Sequence, residues 1–274
     1  MIPRAYITEW RVRAPWKTMA MVEQDLIINR ALVDIFSDPF LKSSLVFRGG
    51  TALHKLFFDT PLRYSEDIDL VQKDPGPIGP IFDRIQERLG EWLGGRPAWK
   101  LGPEVVKLTY RFDSEDQPEQ PLKFKIEINS REHFHVLPLE ERRLEVIGRW
   151  FSGECEIPVY RLEELLATKL RALLDRRKGR DLFDLAAALR RLSAEQHPIV
   201  TIFQEYMAFK GRRITRGQFV KNLDAKLRNP GYLEDCAALL SPEETFNLPG
   251  DAELIKTRLL ALLPDPVPRS ARRR

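Results

Sequence analysis

Cysteine is scarce in this chain of 274 residues, with only Cys155 and Cys236. They lie far apart and in no C-x-x-C or zinc-type spacing, so neither a disulfide framework nor a cysteine metal site is expected. No stretch approaches the ~18 uninterrupted apolar residues of a membrane span, and the opening MIPRAYITEWRVRAPWK has no apolar signal-peptide core. These absences point to a cytoplasmic protein with no membrane partner. A surplus of one charge is missing too: 44 Lys and Arg against 40 Asp and Glu leave +4, too mild to mark a nucleic-acid binder by itself. There is no internal repeat. His133 and His135 flank Phe134, but no further ligand stands at metal spacing, so no histidine metal site is expected. What remains is 43% apolar residues, enough for a sizeable core, and a length that suits two domains.

The informative stretch is Phe47 to Val71, FRGGTALHKLFFDTPLRYSEDIDLV. A short apolar run enters Gly49-Gly50, a helical pattern follows from Thr51 to Phe58, and an alternating strand carries Asp67-Ile68-Asp69. Two residues without β-carbons let backbone N–H groups approach a bulky anion, and the helix aims its positive N-terminal end at the same place. Phosphate binding is the natural reading. Side chains at i and i+2 of a strand share a face, so Asp67 and Asp69 are expected side by side with Ile68 and Leu70 turned to the core. Two such carboxylates suit a hard, oxygen-seeking Mg²⁺ or Mn²⁺. Each feature alone has a bland alternative, a common Gly-Gly turn or a solvated strand edge. Together they resist it, because like charges side by side are unfavourable without a cation.

Around this stretch the apolar spacing predicts a helix from Trp16 to about Phe36 and another over Pro80 to Leu93, with Ile81, Ile85, Leu89 and Trp92 buried. Strands are expected over Val105 to Phe112 and Leu122 to Asn129, joined antiparallel by the polar loop SEDQPEQP. Glu127 lies on the second with Lys123 and Lys125. Beside the acidic strand it would be a third carboxylate, able to assist a metal or take a proton; alone it reads as a solvent-facing residue. From about Arg161 the texture becomes helical, with a break near Lys178-Gly179 and a new helix from about Asp181. Lys169 stands on the first helix, and Asp181 and Asp184 lie a turn apart on the second. The surrounding Arg171, Arg176, Arg177, Lys178 and Arg180 read as a cluster of unpaired cations suited to phosphate, or alternatively as solvated charges beside a helix cap. Short helices follow over Ile199 to Phe209, Thr215 to Arg228, Leu233 to Leu240 and Ala252 to Leu263, with basic residues recurring as a solvated face or a track for RNA phosphates. The expected domains are 1–155, an α/β domain, and 156–265, a helical domain; 266–274 is expected to be a flexible basic tail.

RGGTALHKL followed by RYSEDIDL, then KIEI, then KLRALLDRRKGRDLFDL resemble the AbiEii/AbiGii-type nucleotidyltransferase toxins of the DNA polymerase β-like superfamily. Gly49, Gly50, Thr51, Arg63, Ser65, Asp67 and Asp69 stand at the family's glycine turn and S-x-D-x-D strand, Glu127 on its KIEI strand, and Lys169, Arg180, Asp181 and Asp184 at its lysine and R-D-x-x-D positions. The resemblance implies an α+β fold, a polymerase β-like domain with a mixed sheet followed by a helical C-terminal domain. It also implies metal-dependent transfer of a nucleoside monophosphate from an NTP, with a tRNA 3′ end as acceptor and a separately encoded antitoxin as partner. On this reading Gly49, Gly50, Thr51 and Ser65 bind the triphosphate and Asp67 and Asp69 hold the metal. Lys169 neutralises developing charge, Asp184 and Asp181 orient it or touch the nucleotide with Arg180, and Glu127 is a further carboxylate. The residues leave two other classes open: a nucleotide- or RNA-binding protein without chemistry, and a phosphohydrolase or nuclease using the same carboxylates. A protein hydroxyl is a further conceivable acceptor.

Overall fold

Apolar residues at helical spacing and two-residue alternation divide the chain into the elements that the computed structural model shows, over residues 2–115 and 121–265. The first part carries α1 (Arg4–Trp10), α2 (Met19–Phe36), α3 (Pro39–Ser44), β1 (Leu45–Arg48), α4 (Gly49–Leu56), β2 (Asp67–Gln72) and α5 (Gly79–Leu93). Strands β3 (Ala98–Leu101), β4 (Val105–Phe112), β5 (Leu122–Asn129), β6 (Glu140–Val146) and β7 (Gly153–Val159) complete the sheet. Helices α6 (Leu162–Asp175), α7 (Gly179–Arg191), α8 (Gln196–Phe209), α9 (Arg216–Leu227), α10 (Pro230–Ala237) and α11 (Leu248–Arg258) follow, with a 3₁₀ turn over Leu260–Leu262. The tail expected over 266–274 lies outside the described residues, as does the middle of the loop joining β4 to β5.

The described strands form one mixed sheet in the order β3-β4-β5-β2-β1-β7-β6. β4 and β5 pair antiparallel, as their alternation and polar connection lead one to expect. β2 runs antiparallel to β1 but parallel to β5, and β1 runs parallel to β7. Parallel neighbours need long crossovers, which is why β2 and β5 meet although α5, β3 and β4 intervene in sequence. Ile68, Leu70, Phe124, Ile126 and Ile128 are fully buried, and α2 and α5 belong to the same core cluster. On α5 the buried positions are Ile81, Ile85, Leu89 and Leu93; Trp92 is only partly buried and packs at the edge of the core.

The chain contacts divide into two units. One runs to Arg161 and takes back Leu239–Glu244; the other holds Leu162–Ala238 and resumes at Thr245. The break after Arg161 follows β7, because Gly153–Val159 pairs along its length with β6 and so belongs to the sheet. The returning segment is tied into the first unit by its backbone: Tyr64 N donates to Leu239 O at 2.8 Å and Ser241 N to Leu62 O at 3.0 Å, around an Arg63–Leu240 bridge. No helix among the described residues is long and apolar enough to cross a membrane.

Candidate active site

β1 passes into α4 without a connecting loop, and Gly49 makes the junction in a left-handed conformation, φ +80°. The glycine pair therefore forms the first turn of α4 itself. This brings its N-terminal N–H groups, which have no partner inside a helix, to the end of the strand. A β-carbon on Gly49 would lie 2.2 Å from Asp69 Oδ2, and one on Gly50 would lie 2.4 Å from Arg63 Nη2 and 3.5 Å from Ser65 Oγ. Both missing side chains are thus explained by close approach. Thr51, buried at the same turn, hydrogen-bonds Ser65 Oγ at 2.7 Å and donates to the Asp67 carbonyl. Glycine turn, serine and acidic strand are one hydrogen-bonded assembly.

The register places Asp69 opposite Glu127, Asp67 opposite Lys125 and Arg48 opposite Asp69. Asp67, Asp69 and Glu127 consequently share the sheet face away from Ile68 and Ile126. Two lysines share it with them: Lys125 Nζ lies 3.4 Å from Asp67 Oδ1, and Lys107 Nζ donates to Glu127 Oε1 at 2.6 Å. Burial pushes the Asp67 carboxyl up to about 6; Lys125 opposes this, while the charges of Glu66, Asp69 and Glu127 add to it. Asp67 Oδ1 is buried and accepts no hydrogen bond among the described residues. A buried carboxylate oxygen short of hydrogen bonds, beside a second carboxylate, fits a hard divalent cation whose remaining ligands come from phosphate and water. Among the described residues no group of three acidic, histidine or cysteine side chains is gathered tightly enough to hold an ion alone. His133 and His135 do not contribute, their Nδ1 atoms each lying 2.8 Å from a backbone carbonyl, of Gln72 and Leu137 respectively.

Three supports hold this site, and the first two carry no motif signal of their own. Gln24 on α2 donates from Nε2 to Glu66 O at 3.0 Å and Lys123 O at 3.1 Å, fastening the starts of β2 and β5 together. Lys55 on α4 pairs with Asp25 on α2 at 2.9 Å, both side chains nearly buried, and Trp10 Nε1 donates to the other Asp25 oxygen. Arg63, 3% exposed, donates to the Tyr64 carbonyl and lies against Gly50. A buried polar residue on an otherwise apolar helix face, such as Gln24 or Asp25 in VEQDLII, was the available signal.

In the helical unit Lys169, Asp181 and Asp184 come together. Lys169 Nζ lies 2.9 Å from Asp184 Oδ2 and 3.3 Å from Asp181 Oδ1, and all three side chains are buried. Arg176 closes on Asp181 with two bonds of 2.8 Å. Burial would raise Asp181, but Lys169 and Arg176 outweigh it and hold the carboxyl below its ordinary value. The expectation of unpaired cations here is corrected for all but Arg177, which is exposed: besides these pairs, Lys178 bonds Asp235 at 2.9 Å and Arg171 lies over the Tyr206 ring. Arg180, half-buried on the first turn of α7, also has interactions of its own. Gly179 was not singled out from the sequence, yet a β-carbon there would lie 1.9 Å from the Tyr232 carbonyl.

A family model described as the nucleotidyl transferase AbiEii toxin of type IV toxin–antitoxin systems matches residues 30–267. The chain belongs to this family. AbiEii proteins are nucleotidyltransferases, so this chain is an enzyme of that class. Among solved structures it resembles MenT4, a nucleotidyltransferase toxin from Mycobacterium tuberculosis H37Rv, with TM-score 0.68 and 19% identity over 96% of this chain and 91% of that one, a likeness of fold. An antigenic nucleotidyltransferase-like protein from Paracoccidioides brasiliensis matches with TM-score 0.39 and 14% identity over 67% of this chain and 90% of that one. No curated protein sequence matches the chain. The AbiEii match covers both the glycine turn and acidic strand and the Lys169–Asp184 helices.

Proposed function

We propose that this AbiEii-family toxin transfers a nucleoside monophosphate from an NTP to the 3′ hydroxyl of an RNA, a tRNA in the first instance, with release of pyrophosphate. One observation carries the reading: the Gly49 turn touches the Asp69 carboxylate, so a phosphate cradle and a pair of cation-binding carboxylates face the same space. The backbone N–H groups of Gly50 and Thr51 and the Ser65 hydroxyl bind phosphate oxygens. Asp67 and Asp69 hold a divalent cation, Mg²⁺ or Mn²⁺, which when bound neutralises phosphate charge and polarises the reacting phosphorus. The acceptor oxygen attacks the α-phosphorus, the bond from that phosphorus to the bridging oxygen breaks, and pyrophosphate leaves. The hydroxyl proton passes to a carboxylate of the same face, for which Glu127 is the candidate; its Lys107 partner holds it in place. In the helical unit we assign Lys169 to neutralising phosphate charge, with Asp184 and Asp181 orienting its ammonium and Arg180 as a further nucleotide contact. A separately encoded antitoxin is the expected protein partner.

The test is incubation with Mg²⁺, total tRNA and each α-labelled NTP in turn, with products resolved on a denaturing gel. The expected result is label on RNA with a preferred NTP, absent for a folded Asp67→Ala variant. Label on protein instead would move the acceptor to a protein hydroxyl. Shortened RNA would make the enzyme a nuclease, and no label on any product with any NTP would sink the transfer reading.

A further inference from the structure

Helix α9 buries Phe219, Leu223 and Lys226 on one side and leaves the other exposed. Positions 216, 220, 221, 224 and 228 fall on that exposed side at helical spacing, and they line a groove of about 480 Å³. Three of them are Arg216, Lys221 and Arg228, all exposed, their side chains without a hydrogen bond or ion pair among the described residues. Of the acidic groups in the groove, Asp224 is taken by Lys256 at 2.7 Å, leaving Asp265 at the rim. Elsewhere in the same unit Arg176, Lys178, Arg190 and Arg212 each bond a carboxylate. A row of unneutralised cations along one helix face repels itself and is stabilised by an extended polyanion.

We propose that the exposed face of α9 is a docking surface for the phosphate backbone of single-stranded RNA. It rests on the reading that the acceptor is an RNA, and it assigns that RNA a place in the helical unit. A second hollow of the same unit is lined by Arg213 and Pro264, and the Arg216 N–H donates to the Pro264 carbonyl at 3.0 Å. Phe209 ends α8 just before this basic connection and is 60% exposed, an aromatic surface on which a base can stack while the cations hold the backbone. Single strands offer both groups at once, phosphates for the row and unpaired bases for the ring. An acidic protein segment would use the charges and has no use for the ring.

The experiment measures binding of a fluorescent oligouridylate to the full chain, without NTP, across a range of salt concentrations. The parent, an Arg216→Gln/Lys221→Gln/Arg228→Gln variant and Phe209→Ser are compared, after thermal melts show that these exposed substitutions leave the fold intact. Losing three phosphate contacts should lower the slope of log K against log salt by about 2, about a hundredfold in affinity at roughly 0.1 M salt. Phe209→Ser should weaken binding about tenfold with the slope unchanged. A slope that stays the same in the triple variant overturns the proposal. So does equal binding of polyglutamate, lost in parallel, which would mark the face as a dock for an acidic protein. Asp67→Ala should bind the oligonucleotide like the parent, so failure of the transfer reading and failure of this surface are told apart.

Discussion

Asp67 is an acid kept from water beside other acids, and its ionisation works against folding. Its carboxyl is raised from 3.8 to about 6, by burial first and by neighbouring carboxylates after it. Below the unfolded value both states are protonated and there is no penalty. Between the unfolded and folded values the unfolded chain ionises while the native state keeps its proton, so stability is lost with rising pH over that window, by up to about 3 kcal/mol at about 1.4 kcal/mol per pH unit, and the loss is complete above the folded value. Without added metal, Asp67→Asn should therefore raise the melting temperature at pH 8 and leave it nearly unchanged at pH 4; calorimetry showing a lower value at pH 8 would contradict the argument. Gly49 and Gly50 separate by what stands opposite them. Gly49→Ala meets both a φ of +80° and the Asp69 carboxylate, so it should abolish transfer and destabilise by at least about 1 kcal/mol in urea titration. Gly50→Ala meets the guanidinium end of Arg63, which can shift, and should be the milder change. The sequence displayed these glycines and acids by their spacing. It did not display Gln24, Lys55 or Asp25, whose value lies in partners far along the chain.

Helices α6 and α7 are joined by the buried Lys169, Asp181 and Asp184, with the exposed Arg176 closing on Asp181. Taking one partner from such a cluster leaves a charge without compensation, a loss of about 3–5 kcal/mol. Asp184→Ala should cost that much in urea unfolding, because Lys169 then keeps only the longer Asp181 contact. Arg176→Ala should cost less, since its side chain is 52% exposed and Asp181 keeps Lys169. Equal losses for the two would show that the cluster does not follow burial. Lys169→Met separates support from chemistry: if Lys169 only braces the helices, transfer should survive in whatever fraction stays folded, whereas the proposed role requires it to vanish there too. The element boundaries came largely from periodicity, and β4, β5 and α5 lie close to where alternation and helical spacing put them. The short pieces α1, α3 and β3 carried too few residues to show a period, and β6 opens on four charged residues, leaving only Leu144 and Val146 to alternate. β7 was hidden because its exposed and buried positions do not alternate to the end.

Over the whole molecule, the chain passes between the two units after Arg161, after Ala238 and after Glu244. The returning segment bonds the backbone just ahead of Ser65 and Asp67. Ser241→Pro removes the N–H that reaches Leu62, so amide exchange at Tyr64 should accelerate and transfer should fall; unchanged protection at Tyr64 would show that the loop needs no such tie. The sequence by itself determined what depends on near neighbours: strand into glycine turn into helix, two carboxylates on one face of a strand, and an amphipathic helical second half. It also carried the AbiEii motifs in their order. Only the tertiary structure decided that β5 lies parallel to β2 with Glu127 beside Asp69, that two lysines share that face, and that Lys169, Arg176 and Lys178 have carboxylate partners while the side chains of Arg216, Lys221 and Arg228 have none among the described residues. Period and turn chemistry act over a few residues and are written locally. Strand order and ion pairing are settled by which distant segments bury their apolar faces together, and the charges take the partners which that packing brings within reach.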